Sequence, residues 1–447
     1  MTPRDEYPAR RALRVTDRPI RGRILRLSRA VPSGRTEDIE LLHELFEARA
    51  DERREVAALE VQGRAISYSE LDGFANRLAR HLWERGVRRG SRVGLLLRRS
   101  AEAYGAILAV LKAGAAYVPL DPAHTTDRTM YALEDSDAVA LVTTPEFSHR
   151  YDGFDGAIVD LESDRDAIDA ESPVRVPRDM SRVAAGDLCY VMYRPGDSAY
   201  PRGVLIEHKS ACHLARTAGA AFGVRPWDRV YQGGSLCRDA SVQEMWLAFH
   251  AGATLVVPAQ SGGPLGPDLA ARLSRARVTV LSCATASLAA LSDDVSLLRL
   301  LILRGGRCPG DLVQRWARTD RRIVNTYGHT ETTVVATHAE LLPGAAITAG
   351  RPLPGSRVYI LDGQLRCVPW GSLGQIGVGG PGVARGYLGL PADTRARFVR
   401  DPFSPCGDGR MYLTGDLGRI DPNGNLEVLG EIERWQRESL LPEGSRS

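Results

Sequence analysis

Lysine is almost absent from this 447-residue chain: Lys112 and Lys209 are the only lysines among 58 lysine and arginine residues. Arginine codons are richer in G and C than lysine codons, so a GC-rich genome is the simplest explanation. An arginine where a lysine is expected is therefore weak evidence of lost function. The formal net charge is only +3, which is too small to predict a nucleic-acid partner.

Long apolar runs and paired cysteines are also missing. No stretch approaches the ~20 apolar residues of a membrane span, and no apolar leader opens the chain. We therefore expect a cytoplasmic protein with no membrane partner. The seven cysteines show no CxxC pair and no zinc-ligand spacing, which predicts reduced thiols.

The length of the chain predicts two or three subdomains. Residues 1–35 are rich in arginine but lack interleaved aromatic residues, so we interpret them as a solvated N-terminal extension. A basic arm for an acidic partner is the alternative. Residues 36–433 are interpreted as the folded core, and residues 434–447 as a tail.

Alternating helix and strand patterns predict the α/β class for most of the core. Residues 36–184 and 185–344 both show buried strands separated by amphipathic helices, the first helix beginning near Thr36 and the second after a cap at Ser69. This spacing predicts two tandem α/β subdomains with mostly parallel sheets. Over residues 345–433, short glycine-punctuated strands and an Asp-Pro-Asn-Gly hairpin predict a small β-barrel.

Three short motifs carry residues suited to nucleotide chemistry. NTYGHTETT (325–333) supplies an aromatic ring, hydroxyls and a carboxylate, which together could stack on a base and hold phosphate and Mg²⁺. The alternative is an ordinary polar loop. YLTGDLG (412–418) places Asp416 in a predicted tight turn, where it would accept ribose hydroxyls or cap the turn. GVGGPG (377–382) matches G-x-G-x-x-G, but Pro381 and the lack of a strand–loop–helix context exclude a dinucleotide site.

Seven segments carry a resemblance to a known family, and in chain order they are ISYSEL (66–71), LKAGAAYVPLDP (111–122), LCYVMYRPGDSAYPRG (188–203), DASVQEMW (239–246), NTYGHTE (325–331), GQIGVGGPGVARGYL (374–388) and YLTGDL (412–417). They resemble the successive core motifs of nonribosomal-peptide-synthetase adenylation domains, which belong to the adenylate-forming, AMP-binding enzymes. The resemblance covers about residues 36–433 and implies the large N-terminal core of that fold. Such enzymes make an acyl- or aminoacyl-AMP from a carboxylic acid and Mg-ATP, then usually pass the acyl group to a carrier-protein thiol.

The resemblance implies a role for each matched position. Thr330 would contact the α-phosphate, and Glu331 would hold Mg²⁺, which makes both catalytic. Further nucleotide contacts would come from Tyr327 against the adenine, Asp416 on the ribose, and Gly328, Gly196, Ser198 and Arg202. Asp239 would pair with the α-ammonium of an amino-acid substrate. The pocket for a small or moderately polar side chain would be lined by Ala240, Gln243, Ser282, Leu303, Gly305, Thr326, Val334 and Val335.

The sequence departs from the family pattern in the phosphate loop. Arg194, Pro195 and Asp197 stand where small hydroxylated residues are expected. Pro195 removes a backbone donor. Asp197 adds an anion, which at ~4 Å from a phosphate charge costs roughly 4 kcal/mol at an effective dielectric of about 20.

Two further departures lie near the end of the chain. Glu431 replaces a family arginine that reaches toward the ribose, whereas Glu433 keeps the charge of the family's hinge aspartate. The family continues into a C-terminal lid with a catalytic lysine, which this sequence does not contain. We therefore expect weakened or lost ATP-dependent activation, with Mg-ATP or AMP bound only where the site still functions.

The residues implied for amino-acid binding match the family, whereas the phosphate loop and the end of the chain depart from it. Three hypotheses follow from this contrast. The first is an atypical adenylation-type enzyme that binds an amino acid or aminoacyl-AMP, with a lid supplied in trans. The second is a non-catalytic partner that docks on a synthetase, a carrier protein or an MbtH-like protein. The third is a cleft with different acyl chemistry, in which His124, His329 or Cys237 would act as base or nucleophile.

Overall fold

The computed structural model describes residues 41–194, 200–258, 268–291, 293–306, 308–404 and 409–432. The N-terminal extension, the predicted helix start near Thr36 and the tail lie outside these residues. So do Gly196 and Ser198 of the phosphate loop, together with Glu433.

Over the described residues the α-helices are α1 (Leu42–Glu52), α2 (Tyr68–Glu84), α3 (Ala101–Lys112), α4 (Thr126–Asp135), α5 (Arg165–Ala170), α6 (Arg178–Ser181), α7 (His208–Phe222), α8 (Asp239–Ala251), α9 (Leu269–Arg275), α10 (Thr285–Ala289), α11 (Gly310–Trp316) and α12 (Pro391–Arg397). Two 3₁₀ helices cover Pro145–Arg150 and Thr330–Thr332. No helix among the described residues combines the length and the apolar character that crossing a membrane requires.

The strands are β1 (Ala57–Val61), β2 (Arg64–Ser67), β3 (Arg92–Leu95), β4 (Ala116–Pro119), β5 (Ala140–Thr143), β6 (Ala157–Asp160), β7 (Leu188–Arg194), β8 (Arg202–Glu207), β9 (Arg229–Tyr231), β10 (Thr254–Val257), β11 (Val280–Ala284), β12 (Leu300–Arg304), β13 (Arg322–Tyr327), β14 (Thr337–Glu340), β15 (Arg351–Pro352), β16 (Arg357–Leu361), β17 (Gly374–Gly379), β18 (Gly386–Tyr387), β19 (Phe398–Arg400), β20 (Arg410–Ile420) and β21 (Leu426–Glu431). Helices and strands alternate through most of the chain, which confirms the predicted α/β class.

Local sequence chemistry explains where the early helices begin and end. α2 begins one residue before the predicted cap at Ser69, because Ser67 caps it instead. The Ser67 side chain accepts a hydrogen bond from the Glu70 backbone, and the Glu70 carboxylate accepts one from the Ser67 backbone. This reciprocal pair is a capping box. α3 ends just before Gly114, whose φ of +83° suits glycine.

The first sheet has seven strands in the order β18-β8-β7-β4-β3-β5-β6. The run from β7 to β6 is parallel throughout, whereas β8 and β18 are antiparallel to their neighbours. The second sheet has nine strands in the order β15-β14-β13-β12-β11-β9-β10-β1-β2. Its central strands, from β13 to β1, are also parallel.

The two sheets exchange strands, so sheet membership does not follow the sequence division at residues 184 and 185. The hairpin of β1 and β2 comes early in the chain but adds to the edge of the second sheet through β10. The hairpin of β7 and β8 comes after the division but completes the first sheet through β4. These pairings join distant segments, and the order of the strands along the chain does not reveal them.

The third sheet is antiparallel and contains β16, β17, β20 and β19 in order, with β21 also paired to β20. In the described residues its outer strands do not pair with one another, so these strands form an open sheet where the sequence predicted a barrel. The predicted hairpin is present, with Ile420 opposite Leu426 across the Asp-Pro-Asn-Gly loop. GVGGPG contains the end of β17 and leads to another strand, not a helix, which agrees with rejecting a dinucleotide site.

Candidate functional site

An acid and a hydroxyl meet on the wall of one cavity, which both Asp239 and Thr330 line. Asp239 is the first residue of α8, where a carboxylate interacts favourably with the positive end of the helix dipole. Its Oδ2 accepts a hydrogen bond of 2.7 Å from the Thr330 hydroxyl. The structure thus joins the residue predicted to bind an ammonium group to the residue predicted to contact a phosphate.

The loop that carries Thr330 is held in a strained conformation. Thr330 begins a 3₁₀ helix, and the next two residues after that helix, Thr333 and Val334, have φ of 52° and 70°. Positive φ is unfavourable for β-branched residues. A side chain at Gly328 would place its Cβ 2.3 Å from the Val334 carbonyl oxygen. Glycine is therefore required where this loop folds back on β13.

Glu331, the predicted metal ligand, is fully buried beneath this loop. Its Oε1 accepts hydrogen bonds from Arg194 Nη1 at 2.6 Å and from the Tyr387 hydroxyl at 2.8 Å. Its Oε2 is buried and has no hydrogen-bond partner among the described residues. Mg²⁺ favours octahedral coordination at about 2.0–2.1 Å and usually keeps several waters. A carboxylate already paired with a guanidinium and closed off from solvent does not fit that ion.

Arg194 and Tyr387 are the contacts that sequence analysis did not assign. Arg194 was noted only as a departure from the phosphate-loop pattern, although it ends β7. Tyr387 lies in β18, inside a motif that had been matched but given no role. The available signal was an arginine and a glutamate, both close to strand ends in matched motifs. Their pairing depends on the tertiary fold, because 137 positions separate them.

A second acidic group lies at the position predicted for ribose binding. Asp416 Oδ2 is 2.6 Å from the Tyr327 hydroxyl and 2.9 Å from His329 Nε2. Burial alone would raise the pKa of Asp416, but hydrogen bonds from His329 and Tyr327 hold that pKa below its usual value. Burial also raises the pKa of Tyr327, so its hydroxyl stays a donor. The pair of rings and the carboxylate form one polar cluster.

The setting of Asp416 differs from the predicted tight turn. Asp416 lies within β20, at an irregularity in the pairing of β20 with β17. Between the pairs Gln375–Leu417 and Gly377–Leu413, three residues of β20 lie opposite a single residue of β17. Such a bulge changes the direction in which side chains point. Glu431, which replaces the family arginine that reaches toward the ribose, is paired in register with Asp416 across the hairpin. Like charges directly opposite each other are unfavourable.

Six predicted pocket residues lie on or beside one face of the second sheet. By strand register, Ser282 and Thr326 point to the same face. Val335 belongs to the core cluster on that face, and Val334 packs against it. Residues of α8 join the same cluster, and this helix also carries Ala240 and Gln243.

Two of these residues have unsatisfied polar atoms. Gln243 is 1% exposed, and neither atom of its amide has a hydrogen-bond partner among the described residues. The hydroxyl of Ser282, 2% exposed, is also without a partner there. Buried polar atoms are normally hydrogen-bonded, so each such exception needs an explanation. A ligand with polar groups would satisfy these atoms.

Leu303 and Gly305 are placed differently. Leu303 is one residue out of phase with the strand positions that face α8, and it belongs to the cluster on the opposite side of the sheet. The two-residue side-chain period of a strand is the reason for this departure from the predicted lining. Gly305 follows β12 directly with φ of +66° and has no side chain to offer.

A cavity of about 140 Å³ lies beside the Asp239–Thr330 contact. Its walls carry acidic and basic side chains, namely Asp121, His124, Arg128, Arg194, Arg238 and Asp239. A more apolar cavity of about 320 Å³ adjoins it and shares Asp121 and Cys237 in its lining. Arg202, predicted to contact phosphates, lies 3.5 Å from Asp393 and over the Tyr387 ring.

The residues proposed for different acyl chemistry lie in two different places. Burial raises the pKa of the Cys237 thiol, which disfavours the thiolate that attacks. Burial lowers the pKa of His124, which lines the same cavity as Cys237. His329 instead contacts Asp416 and Tyr327. The described geometry therefore groups His329 with the predicted ribose position.

Comparison with known proteins decides the family. Residues 46–388 match the profile described as AMP-binding enzyme. The chain belongs to the AMP-binding enzyme family. Among curated relatives of this AMP-binding chain, a linear gramicidin synthase of Brevibacillus parabrevis is 38% identical over 395 residues, covering 88% of this chain and 8% of that protein.

Solved structures show the same relationship. The nonribosomal peptide synthetase FmoA3 with alpha-methyl-L-serine-AMP bound has a TM-score of 0.81 and 31% identity to this AMP-binding chain, covering 91% of it and 46% of FmoA3. FmoA3 with AMPPNP bound has a TM-score of 0.77 and 32% identity, with coverage of 88% and 43%. The chain thus spans less than half the length of these synthetases, and it has the adenylation-domain fold.

Proposed function

We propose that this chain binds an α-amino acid and its adenylate in nonribosomal peptide biosynthesis, with Mg-ATP-dependent activation weakened. The hydrogen bond between Thr330 and Asp239 carries this proposal. It holds the ammonium-binding acid next to the hydroxyl that faces the α-phosphate. An aminoacyl-adenylate has both groups, an α-ammonium and a phosphate, within a few bonds of each other.

The charge of Asp239 favours an amino acid over a fatty or aryl acid. A carboxylate at the start of α8 gives a charge-assisted hydrogen bond to an ammonium group. The amide of Gln243 and the hydroxyl of Ser282 have no hydrogen-bond partner in the described part of the chain, which favours a substrate whose side chain forms hydrogen bonds. A site that hydrogen-bonds a polar substrate side chain rejects an analogue without that polar group, because the polar groups of the site are then left unpaired.

The nucleotide half of the proposed site rests on Tyr327, Gly328 and Asp416. FmoA3, which shares this fold, was solved with an aminoacyl-adenylate and with an ATP analogue. We assign the adenine and ribose of an adenylate to this polar cluster. The ion pair of Arg194 with Glu331 supports weakened activation, since it occupies the carboxylate assigned to Mg²⁺.

The partners proposed are those of a synthetase module. The relatives include nonribosomal peptide synthetases much longer than this chain. We therefore propose a carrier-protein thiol as the acceptor of the acyl group. A lid domain acting in trans and docking of an MbtH-like protein are also proposed, and the phosphate contacts of Gly196, Ser198 and Arg202 remain part of the proposal.

Binding of an aminoacyl-adenylate analogue tests the function. A panel of aminoacyl sulfamoyl adenosines would be titrated calorimetrically into the wild type and into Asp239→Asn. We expect one amino acid to bind best and the variant to lose about tenfold to a hundredfold in affinity, because the charged partner is gone. Asp127→Asn is the matched control, since Asp127 is also a first-turn acid but is exposed. Equal binding to both variants would contradict the assignment.

A second candidate function, a non-catalytic partner module, is favoured by the paired state of Glu331. ATP–pyrophosphate exchange separates the two functions. Exchange that requires one amino acid and disappears in Glu331→Ala supports an enzyme. Adenylate binding without exchange supports a module that has kept the ligand but not its activation.

A further inference from the structure

We propose that the guanidinium of Arg194 takes the place of a divalent cation at Glu331 and presents a fixed positive charge to the phosphate of a nucleotide or adenylate. The proposal has two halves: the exclusion of a divalent cation from Glu331, and the contact of Arg194 with a phosphate. The contacts of Glu331 carry the cation half, whereas the phosphate half rests on the proposed function. A separate experiment tests each half.

One oxygen of the Glu331 carboxylate already accepts two hydrogen bonds, and the other is closed off by burial. Oε1 receives both Arg194 and Tyr387, while Oε2 is buried and unreached by solvent. The guanidinium also carries a positive charge that repels any incoming cation. A divalent ion would have to displace the arginine and open the packing around a fully buried side chain.

The position of Arg194 brings its charge to the cavity. β7 ends at Arg194 with its side chain 38% exposed, whereas that of Glu331 is 1% exposed. Arg194 and Thr330 both line the 140 Å³ cavity, as do the arginines at 128 and 238. A guanidinium has five N–H donors in a planar fork, so one guanidinium can hold a carboxylate and also face a phosphate.

The opposing charges of the cavity fit the same ligand. Asp121 and Asp239 lie on its walls, and the second is the proposed ammonium-binding acid. A cavity that carries both carboxylates and arginines on its walls suits a zwitterion such as an aminoacyl phosphate. Fixed arginines provide that complementarity without help from an ion in solution.

Mn²⁺ titration followed by electron paramagnetic resonance tests the cation half. Wild-type protein is expected to bind Mn²⁺ at least about tenfold more weakly than Arg194→Thr, in which the carboxylate is uncovered. The added site in Arg194→Thr should disappear when Glu331→Gln is combined with it. Arg194→Lys, which keeps the charge, should exclude Mn²⁺ like the wild type. If Arg194→Thr does not fold, Arg194→Gln, which also removes the charge, replaces it. Wild-type binding as tight as that of Arg194→Thr, and abolished by Glu331→Gln alone, would overturn the proposal.

AMP titration by calorimetry tests the phosphate half. The dissociation constant of the wild type is expected to change by less than about twofold between EDTA and millimolar MgCl₂, and to weaken about tenfold in Arg194→Thr. Arg366→Thr is the control, because Arg366 is exposed and its side chain contacts only its near neighbours Asp362 and Gln364 in the described contacts. An affinity that rises about tenfold with MgCl₂ in the wild type would overturn this half. Absence of AMP binding in every variant and buffer would overturn the phosphate half and the proposed nucleotide site together, while the Mn²⁺ result still decides the cation half.

Discussion

The two lysines of this chain allow a buried ion pair to be compared with an exposed one. Lys112 Nζ contacts Glu47 and lies 2.9 Å from Asp72 Oδ1, with the lysine side chain 2% exposed. Lys112→Met would leave two largely buried carboxylates without this cation. Removing one partner of a buried pair costs about 3–5 kcal/mol. Arg175 still contacts Asp72 at 2.9 Å, so we expect the lower end, about 3 kcal/mol.

Lys209→Met is the matched control. Lys209 pairs with Glu207 at 2.7 Å but is 54% exposed, and exposed pairs contribute about 0–1 kcal/mol. Differential scanning calorimetry would measure both variants. The entropy of unfolding is about 2.1 cal/mol/K per residue, so each kcal/mol shifts the midpoint of a ~400-residue unit by about 1 °C. Lys112→Met should therefore lower the midpoint by roughly 3–4 °C and Lys209→Met by about 1 °C or less. Equal shifts in the two variants would refute the reasoning about burial.

Two further predictions concern the site and the helix beside it. Burial raises the pKa of Glu244 to about 7, so the folded state binds the carboxyl proton more tightly than the unfolded state does. The resulting contribution to the free energy of unfolding is lost as the pH rises from the pKa of the unfolded chain toward 7. Glu244→Gln should remove up to about 3 kcal/mol of pH dependence across that window, measured by urea unfolding at several pH values; an unchanged pH profile would contradict it. Gly328→Ala forces a Cβ against the Val334 carbonyl and should cost about 1–3 kcal/mol, whereas Gly363→Ala, with open space around it, should be neutral in the same thermal assay.

Sequence patterns predicted what depends on short segments. Strands such as β3 and β12 and the end of α3 at Gly114 follow from apolar runs and glycine, which act locally. The motif order brought Asp239 and Thr330 into one predicted site, and the structure places them in contact.

Features that depend on tertiary pairing were not predictable in the same way. The face on which Leu303 lies follows from strand register, which apolar runs alone do not reveal. The ion pair of Arg194 with Glu331 joins distant segments of the chain and needs the fold to be known first. The capping of α2 by Ser67 was missed because two serines stand close together and only one has its backbone in the right conformation.

The exchange of strands between the two large sheets has a consequence for how the chain reaches its native state. Neither sheet can finish pairing until segments far apart in the chain have met, as in the register of Leu59 with Leu255. Folding rates fall as such long-range contacts increase. A chain cut between residues 184 and 185 would yield two fragments, each missing strands held by the other. Each fragment would expose a sheet edge open to non-native pairing. The two halves are thus one cooperative unit, and reconstitution from fragments would require both to be present during folding.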